Sequence, residues 1–182
     1  QGFHAGVYAY QTNPADYKVF LKEIQEINDF LLAQENITSV YVMGFSAGAH
    51  LSGLFAEKVT PKPKGAIYCY PVVTLEKDFA HQPSAERFLG KDFNEENLKN
   101  YSLENLINPT SSPAFIWQTG QDQAVPVANS LTLALAYAKA GVPFEYHEFP
   151  EGPHGLGMQK DFPHTFQWVS LLENWLKLQE EN

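Results

Sequence analysis

The sequence predicts an α/β domain: a mostly parallel sheet with helices on both faces. Short apolar runs at residues 39–43, 64–70, 114–119 and 143–149 alternate with segments of helical length and 3.6-residue periodicity, the pattern of right-handed strand-helix-strand crossovers. The pentapeptide Gly44-Phe45-Ser46-Ala47-Gly48 falls at the junction of one such run with one such segment. No internal repeat, low-complexity tract or linker interrupts the 182 residues, so a single domain over 1–182 is expected.

Residues 3–10 (FHAGVYAY) are rich in aromatic and small side chains and read as a first strand. Asn13-Pro14-Ala15-Asp16 supplies turn and N-cap chemistry, and Tyr17, Phe20, Leu21, Ile24, Ile27 and Leu31 then recur at helical spacing to about Gln34. The run 39–43 (SVYVM) suits a buried parallel strand leading straight to Gly44, and Ala47 to Lys58 reads as a helix. Strands at 64–70 and 114–119 flank a long stretch whose core, 72–108, is expected to form loops and short helices lining a substrate pocket or cap. Residues 127–140 form a helix with Leu131, Ala134, Leu135 and Ala138 on its buried stripe, closed by Gly141 as a C′ glycine. A strand at 143–149 and a helix at 163–178, opened by proline, complete the series.

Composition narrows the function. A 44% hydrophobic fraction supports a globular core. The formal charge of -9, without clusters of Lys and Arg, disfavours nucleic acid and anionic membranes, whose phosphates call for basic patches. No apolar run approaches the roughly 18 residues of a membrane span, and the first residues show no basic segment followed by an apolar one. Cys69, the single cysteine, reads as a buried strand residue that suits a reducing compartment, and cytoplasmic residence is the default expectation. The six histidines lack ligand spacing with Cys, Asp or Glu, and the glycines form neither a dinucleotide fingerprint nor a phosphate loop, so no metal and no cofactor is expected.

The chemistry resides in the pentapeptide. Flanking glycines let a strand turn sharply into a helix and hold Ser46 in a strained conformation, with its hydroxyl projecting at a helix N-terminus. The helix dipole and the Ala47 N–H then face a developing oxyanion. A glycine-rich turn with a bystander serine is the plainer alternative. A nucleophilic serine also needs a base, and the base a group that fixes its tautomer. Asp122 follows the strand at 114–119 and His154 follows the strand at 143–149, each in a glycine-containing loop. Singly they read as a turn aspartate and a loop histidine. The order Ser, Asp, His, each after a strand, is the one expected of a nucleophile-elbow hydrolase. Glu151 is a competing acid better read as a solvated loop residue, and His50 is expected to pack beneath the elbow.

With these residues the chain resembles small bacterial α/β-hydrolases of the esterase and lipase group, including acetylxylan-esterase-like and feruloyl-esterase-like members. The resemblance rests on Gly2-Phe3-His4, on the run from Gly44 to Leu51, on Tyr70-Pro71-Val72, on Gly120-Gln121-Asp122 with Val125-Pro126-Val127, and on the run from Glu148 to Gly157. It implies the C-terminal part of that fold. The family's Gly-rich oxyanion loop, of His-Gly-Gly or Pro-Gly-Gly-Gly type, has no counterpart, nor do its early strands. By resemblance the strand carrying that loop would lie between residues 3–10 and 39–43, so a gap should separate those strands, or they should pair directly. An unpaired edge would favour association, as a homodimer or through a strand supplied by another chain.

The expected activity is hydrolysis of short-chain carboxylic esters through an acyl-enzyme, with no cofactor. Ser46 attacks, His154 moves the proton, Asp122 orients His154 and Ala47 serves the oxyanion hole within the elbow formed with Gly44, Phe45 and Gly48. Acetylated sugars are favoured by resemblance alone. A non-catalytic hydrolase remnant that binds a ligand or partner, and a serine peptidase, stand as alternatives.

Overall fold

Four short strands with apolar residues on both faces have one economical arrangement, a parallel sheet buried from two sides. The computed structural model describes residues 3–10 and 16–181 and has that arrangement. Strands β1 (Tyr41–Phe45), β2 (Gly65–Cys69), β3 (Ala114–Thr119) and β4 (Phe144–Phe149) lie side by side in chain order. Every pairing is parallel, with Gly44 opposite Tyr68, Cys69 opposite Trp117 and Thr119 opposite Phe149. Helix α2 (Ala47–Lys58) follows β1, and α5 (Ala128–Ala140) joins β3 to β4.

The period-2 alternation of strand side chains sorts the core into two layers. Ala66, Tyr68, Ala114 and Ile116 face helices α1 (Tyr17–Leu32), α2 and α5, meeting Ile24, Leu54, Leu133 and Tyr137. Ile67, Cys69, Phe115 and Trp117 face α6 (Trp168–Glu181), where Trp117 stacks on Trp168 with ring centroids 4.9 Å apart. The expected α/β architecture with helices on both faces is therefore present. Cys69 is buried in β2, as its sequence context suggested.

Residues 72–108 fold into α3 (Gln82–Leu89), α4 (Glu95–Tyr101) and two single turns of 3₁₀ helix. They have a small core of their own, in which Val72, Leu75 and Ala85 pack with Val125. Hydrogen bonds tie the segment down: Asn129 Oδ1 accepts from the Val73 and Thr74 N–H groups, and Ser102 Oγ accepts from the Leu75 N–H.

Four expectations are corrected. Residues 3–10 form no strand, and neither pair with β1 nor sit in the sheet. Phe3 meets Tyr41 edge to face at 6.0 Å, and Tyr8 packs on Phe20 and hydrogen-bonds Glu23. Val7 is 97% exposed, because without a ladder partner an aromatic-rich run has no pleated surface to join. The outer edge of β1 is bare among the described residues, and Met43 beside it is exposed.

The second correction is that β1 lies two residues later than expected, since Gly44 and Phe45 still pair with β2. Third, α5 buries Ser130, Leu133, Ala134 and Tyr137, while Leu131 and Leu135 of the expected stripe face solvent. Fourth, α6 begins at Trp168 behind a 3₁₀ turn at Thr165–Gln167. Thr165 Oγ1 donates to the Glu151 carbonyl at 2.6 Å, which holds that turn against the preceding loop and delays the helix. Of the expected N-cap cluster, Asn13 to Ala15 lie outside the described residues. Asp16 does cap α1, accepting the Lys18 N–H at 2.9 Å.

The corrected face of α5 is measurable. Leu133→Ala should cost about 2–5 kcal/mol of stability, and Leu131→Ala about 0.5 kcal/mol or less, by urea unfolding followed by circular dichroism. Equal costs would return the buried stripe to Leu131.

Candidate active site

The turn between β1 and α2 leaves little freedom. A Cβ at Gly44 would collide with the Gly48 carbonyl, so only glycine lets the strand end pass that close to the first turn of the helix. Ser46 sits between them at φ 56° and ψ -123°. Among the described residues, it and Tyr70 are the two non-glycines with positive φ. Hydrogen bonds hold the strained serine: its N–H donates to Cys69 O at 3.0 Å, and its carbonyl accepts from Ala49, His50 and Val72 at 3.0, 3.4 and 3.2 Å. Phe45 braces the outer side, its ring centroid 5.7 Å from that of Tyr70 and 6.3 Å from that of Trp168. The Ala47 N–H belongs to the first helical turn, whose donors have no acceptor within the helix, and it lies beside the serine hydroxyl in sequence.

The Ser46 hydroxyl meets the imidazole of His154 across 108 residues of sequence, with Oγ 2.7 Å from Nε2. On the far side of the ring, Nδ1 is 2.6 Å from Asp122 Oδ2. With the ring proton placed on Nδ1, His154 donates to Asp122 and leaves Nε2 free to accept from the serine. The three residues lie beyond the carboxyl ends of β1, β3 and β4.

Asp122 reaches His154 from a tight turn. Its Oδ1 accepts the Ala124 and Val125 N–H groups at 3.0 and 2.9 Å, and its side chain is wholly buried. Burial alone pushes the carboxyl pKa up. The hydrogen bonds from His154, Val125 and Ala124 outweigh that and hold it below the usual range, so the group is ionised at neutral pH.

The loop of His154 is shaped by glycines at positive φ: Gly152 at 128°, Gly155 at 82° and Gly157 at 51°. Thr119 Oγ1 donates to the Gly152 carbonyl at 2.8 Å, which ties the loop back to the end of β3. Glu151 is exposed and offers its backbone carbonyl to Thr165, so the acid paired with His154 is Asp122.

Other histidines have plainer roles. His50 is buried behind the elbow, with Nε2 2.8 Å from the Tyr101 carbonyl, and burial pushes its pKa down to about 4. His147 pairs with Glu145 on β4. Among the described residues, no group of three or more His, Cys, Asp or Glu could hold a metal ion. Nor is any helix among them long and apolar enough to cross a membrane.

Sequence reasoning named Tyr70 within the run Tyr70-Pro71-Val72 but gave it no role in the site. Its ring stands edge to face against His154 at 5.0 Å, and its hydroxyl accepts the Gly157 N–H at 3.0 Å, so it braces both His154 and the loop that carries it. Its φ of 39° is invisible in the sequence, where a tyrosine before a proline reads as a strand end. Gln118 was also missed. Its Nε2 donates to Val125 O at 2.5 Å and lies 3.4 Å from Asp122 Oδ2, closing the aspartate turn from below.

Comparison with known proteins places the chain in a family and agrees with its fold. Residues 12–179 match the model of the prolyl oligopeptidase family. The chain is 33% identical over 149 residues to an acetylxylan esterase of Xylanibacter ruminicola, covering 78% of this chain and 31% of that protein. It is 36% identical over 133 residues to an endo-1,4-beta-xylanase B of Butyrivibrio fibrisolvens, covering 66% of this chain and 21% of that one. The chain thus spans a fifth to a third of the curated relatives it matches. Among solved structures, an acetyl ester-xyloside bifunctional hydrolase of Caldicellulosiruptor lactoaceticus superimposes with a TM-score of 0.80 at 34% identity, covering 92% of this chain and 66% of that one. A family match running nearly from end to end, on a parallel sheet with a serine elbow, makes this chain a member of the prolyl oligopeptidase family with an α/β-hydrolase fold.

Proposed function

We propose that this chain carries the acyl-transfer machinery of a serine esterase that removes short acyl groups from carboxylic esters, acetylated sugars foremost. The observation that carries the reading is the unbroken hydrogen-bond chain from Ser46 through His154 to Asp122, at 2.7 and 2.6 Å, hung on a serine at positive φ. In this mechanism Ser46 Oγ attacks the ester carbonyl while His154 Nε2 takes its proton. His154 then returns that proton to the departing alcohol, and an acetyl group remains on Ser46. Water, deprotonated by the same imidazole, releases acetate. Asp122 holds the tautomer and balances the imidazolium, and the Ala47 N–H stabilises the oxyanion. No step calls for a metal or cofactor. The acetylxylan esterase and acetyl ester-xyloside hydrolase among the relatives support acetylated sugars as the substrate class.

The oxyanion hole bears on rate. Ala47 supplies one donor, and loss of a donor in other serine hydrolases costs about 100- to 1,000-fold in turnover. A second reading, a serine peptidase, is favoured by the family model itself, which is named for a peptidase. An acetyl ester and the matching acetanilide separate the two, since an esterase should prefer the ester and a peptidase should cleave the amide.

Ser46→Ala should abolish both hydrolysis of p-nitrophenyl acetate and stoichiometric labelling by a fluorophosphonate, read by intact mass. A wild-type chain that is folded by circular dichroism yet never labels would instead be a non-catalytic remnant.

Asp122→Asn retains an Oδ1 acceptor for the Ala124 and Val125 N–H groups but places an amide against His154 Nδ1. Turnover should fall about 10³- to 10⁴-fold with little loss of thermal stability, whereas Asp122→Ala should lose both. Comparable activity in Asp122→Asn and wild type would remove Asp122 from the mechanism.

Tyr70→Phe deletes the acceptor of the Gly157 N–H. Loss of one such hydrogen bond should lower kcat about threefold to tenfold with KM unchanged. A rise in KM alone would mean that Tyr70 contacts substrate rather than bracing His154.

A further inference from the structure

A half-open cleft of about 150 Å³ is lined by Ala47 together with residues of the segment 8–10, α1, α2 and the start of α3. Tyr8, Tyr10, Phe20 and Phe88 give it aromatic walls, and Glu23 and Arg87 add charge. Such a surface suits a ligand with flat apolar faces and a polar rim, as a sugar ring has. His81 lines this cleft together with Ala47, the residue that follows Ser46.

The ring of His81 is fixed at one end and free at the other. It occupies the N-cap position of α3, and its Nδ1 lies 2.8 Å from Ser84 Oγ, one turn into the helix. The Ser84 N–H also donates to the His81 carbonyl at 3.0 Å, so backbone and side chain lock the same orientation. Nε2 has no partner among the described residues and is not sealed from solvent. Burial lowers the pKa of His81, as does the neighbouring His154, so the ring is neutral at neutral pH. When Ser84 donates to Nδ1, Nε2 carries the proton and is a donor; in the other tautomer it is an acceptor. A hydroxyl satisfies either form, and an apolar group satisfies neither.

We propose that His81 contacts the alcohol portion of the substrate, its Nε2 hydrogen-bonding a sugar hydroxyl while the aromatic walls of the cleft take the faces of the ring. His81 thereby selects esters of polyols over esters whose alcohol bears no free hydroxyl. The inference rests on Ser46 being an esterase nucleophile, and it adds a specificity residue that the triad does not require.

The test compares wild type, His81→Ala and His81→Gln on acetylated xylobiose and on p-nitrophenyl acetate, whose alcohol has no hydroxyl to read. Fluorophosphonate labelling is measured in parallel. His81→Ala should lose about tenfold in kcat/KM on the sugar ester, chiefly through KM. It should stay within about twofold of wild type on p-nitrophenyl acetate and in labelling rate, and His81→Gln, which retains an N–H donor, should recover part of the loss on the sugar ester. Equal losses on both esters, or none on the sugar ester, would overturn the proposal while leaving the esterase reading intact. A folded wild-type chain with neither labelling nor turnover would remove the esterase reading and this inference together.

Discussion

Ser46 is held at φ 56° by four backbone hydrogen bonds, and the architecture of the site depends on that turn. A non-glycine residue in this conformation costs of order 1–3 kcal/mol and persists only when its surroundings over-determine it. Here the surroundings are β2 through Cys69, the first turn of α2 through Ala49 and His50, and the start of the 72–108 segment through Val72. The three directions converge on one residue. Gly44 is the local condition for this, because the end of the strand approaches the first turn of the helix more closely than a Cβ allows. Relaxing the serine would disturb the sheet, the helix and the segment together.

The two remaining groups are placed by a different device. Asp122 and His154 follow β3 and β4, adjacent parallel strands that pair Thr119 with Phe149, so their loops emerge side by side. Side-chain bonds then join the loops: Thr119 to the Gly152 carbonyl, and the Gly152 N–H to Gln121 Oε1 at 3.4 Å. A buried ionised carboxylate is costly unless its oxygens are satisfied. Asp122 meets that condition with two backbone N–H groups on one oxygen and His154 on the other, and the same bonds that keep it ionised aim it at the imidazole. Electrostatic satisfaction and orientation of the imidazole are here one requirement.

Much of this was legible in the sequence, and what was not has physical reasons. The strand-helix alternation and the Gly44 to Gly48 elbow are local signals, so β3 and α2 appear at the expected residues. The stripe on α5 was misassigned because Leu131 and Leu135 lie on one side and Leu133 on the other of a helix that is apolar nearly all round, and periodicity cannot choose a face there. Residues 3–10 have strand-like composition, but a strand exists only beside another strand, and no sequence window contains its neighbour. The settings of Tyr70 and His81 were not legible because they arise from long-range juxtaposition: Tyr70 touches a loop 87 residues later, and His81 shares a cleft with Ala47 and Tyr10.

On the proposed reading, reaction and recognition fall on different parts of the molecule. Ser46, Asp122 and His154 stand on turns at the carboxyl ends of strands whose side chains are packed between two helical layers, so their spacing follows from the rigid sheet. The cleft lined by Ala47 is instead walled by residues 8–10, α1, the first turns of α2 and α3, elements outside the sheet ladder. Substitutions there can change the shape and polarity of the cleft without moving the register of β1 against β2, on which Ser46 depends. On that reading, such a division would let one acyl-transfer site serve many alcohols. It also places specificity in the parts of the chain where sequence periodicity says least, because aromatic walls and a tethered imidazole are assembled from segments that share neither a helix face nor a strand.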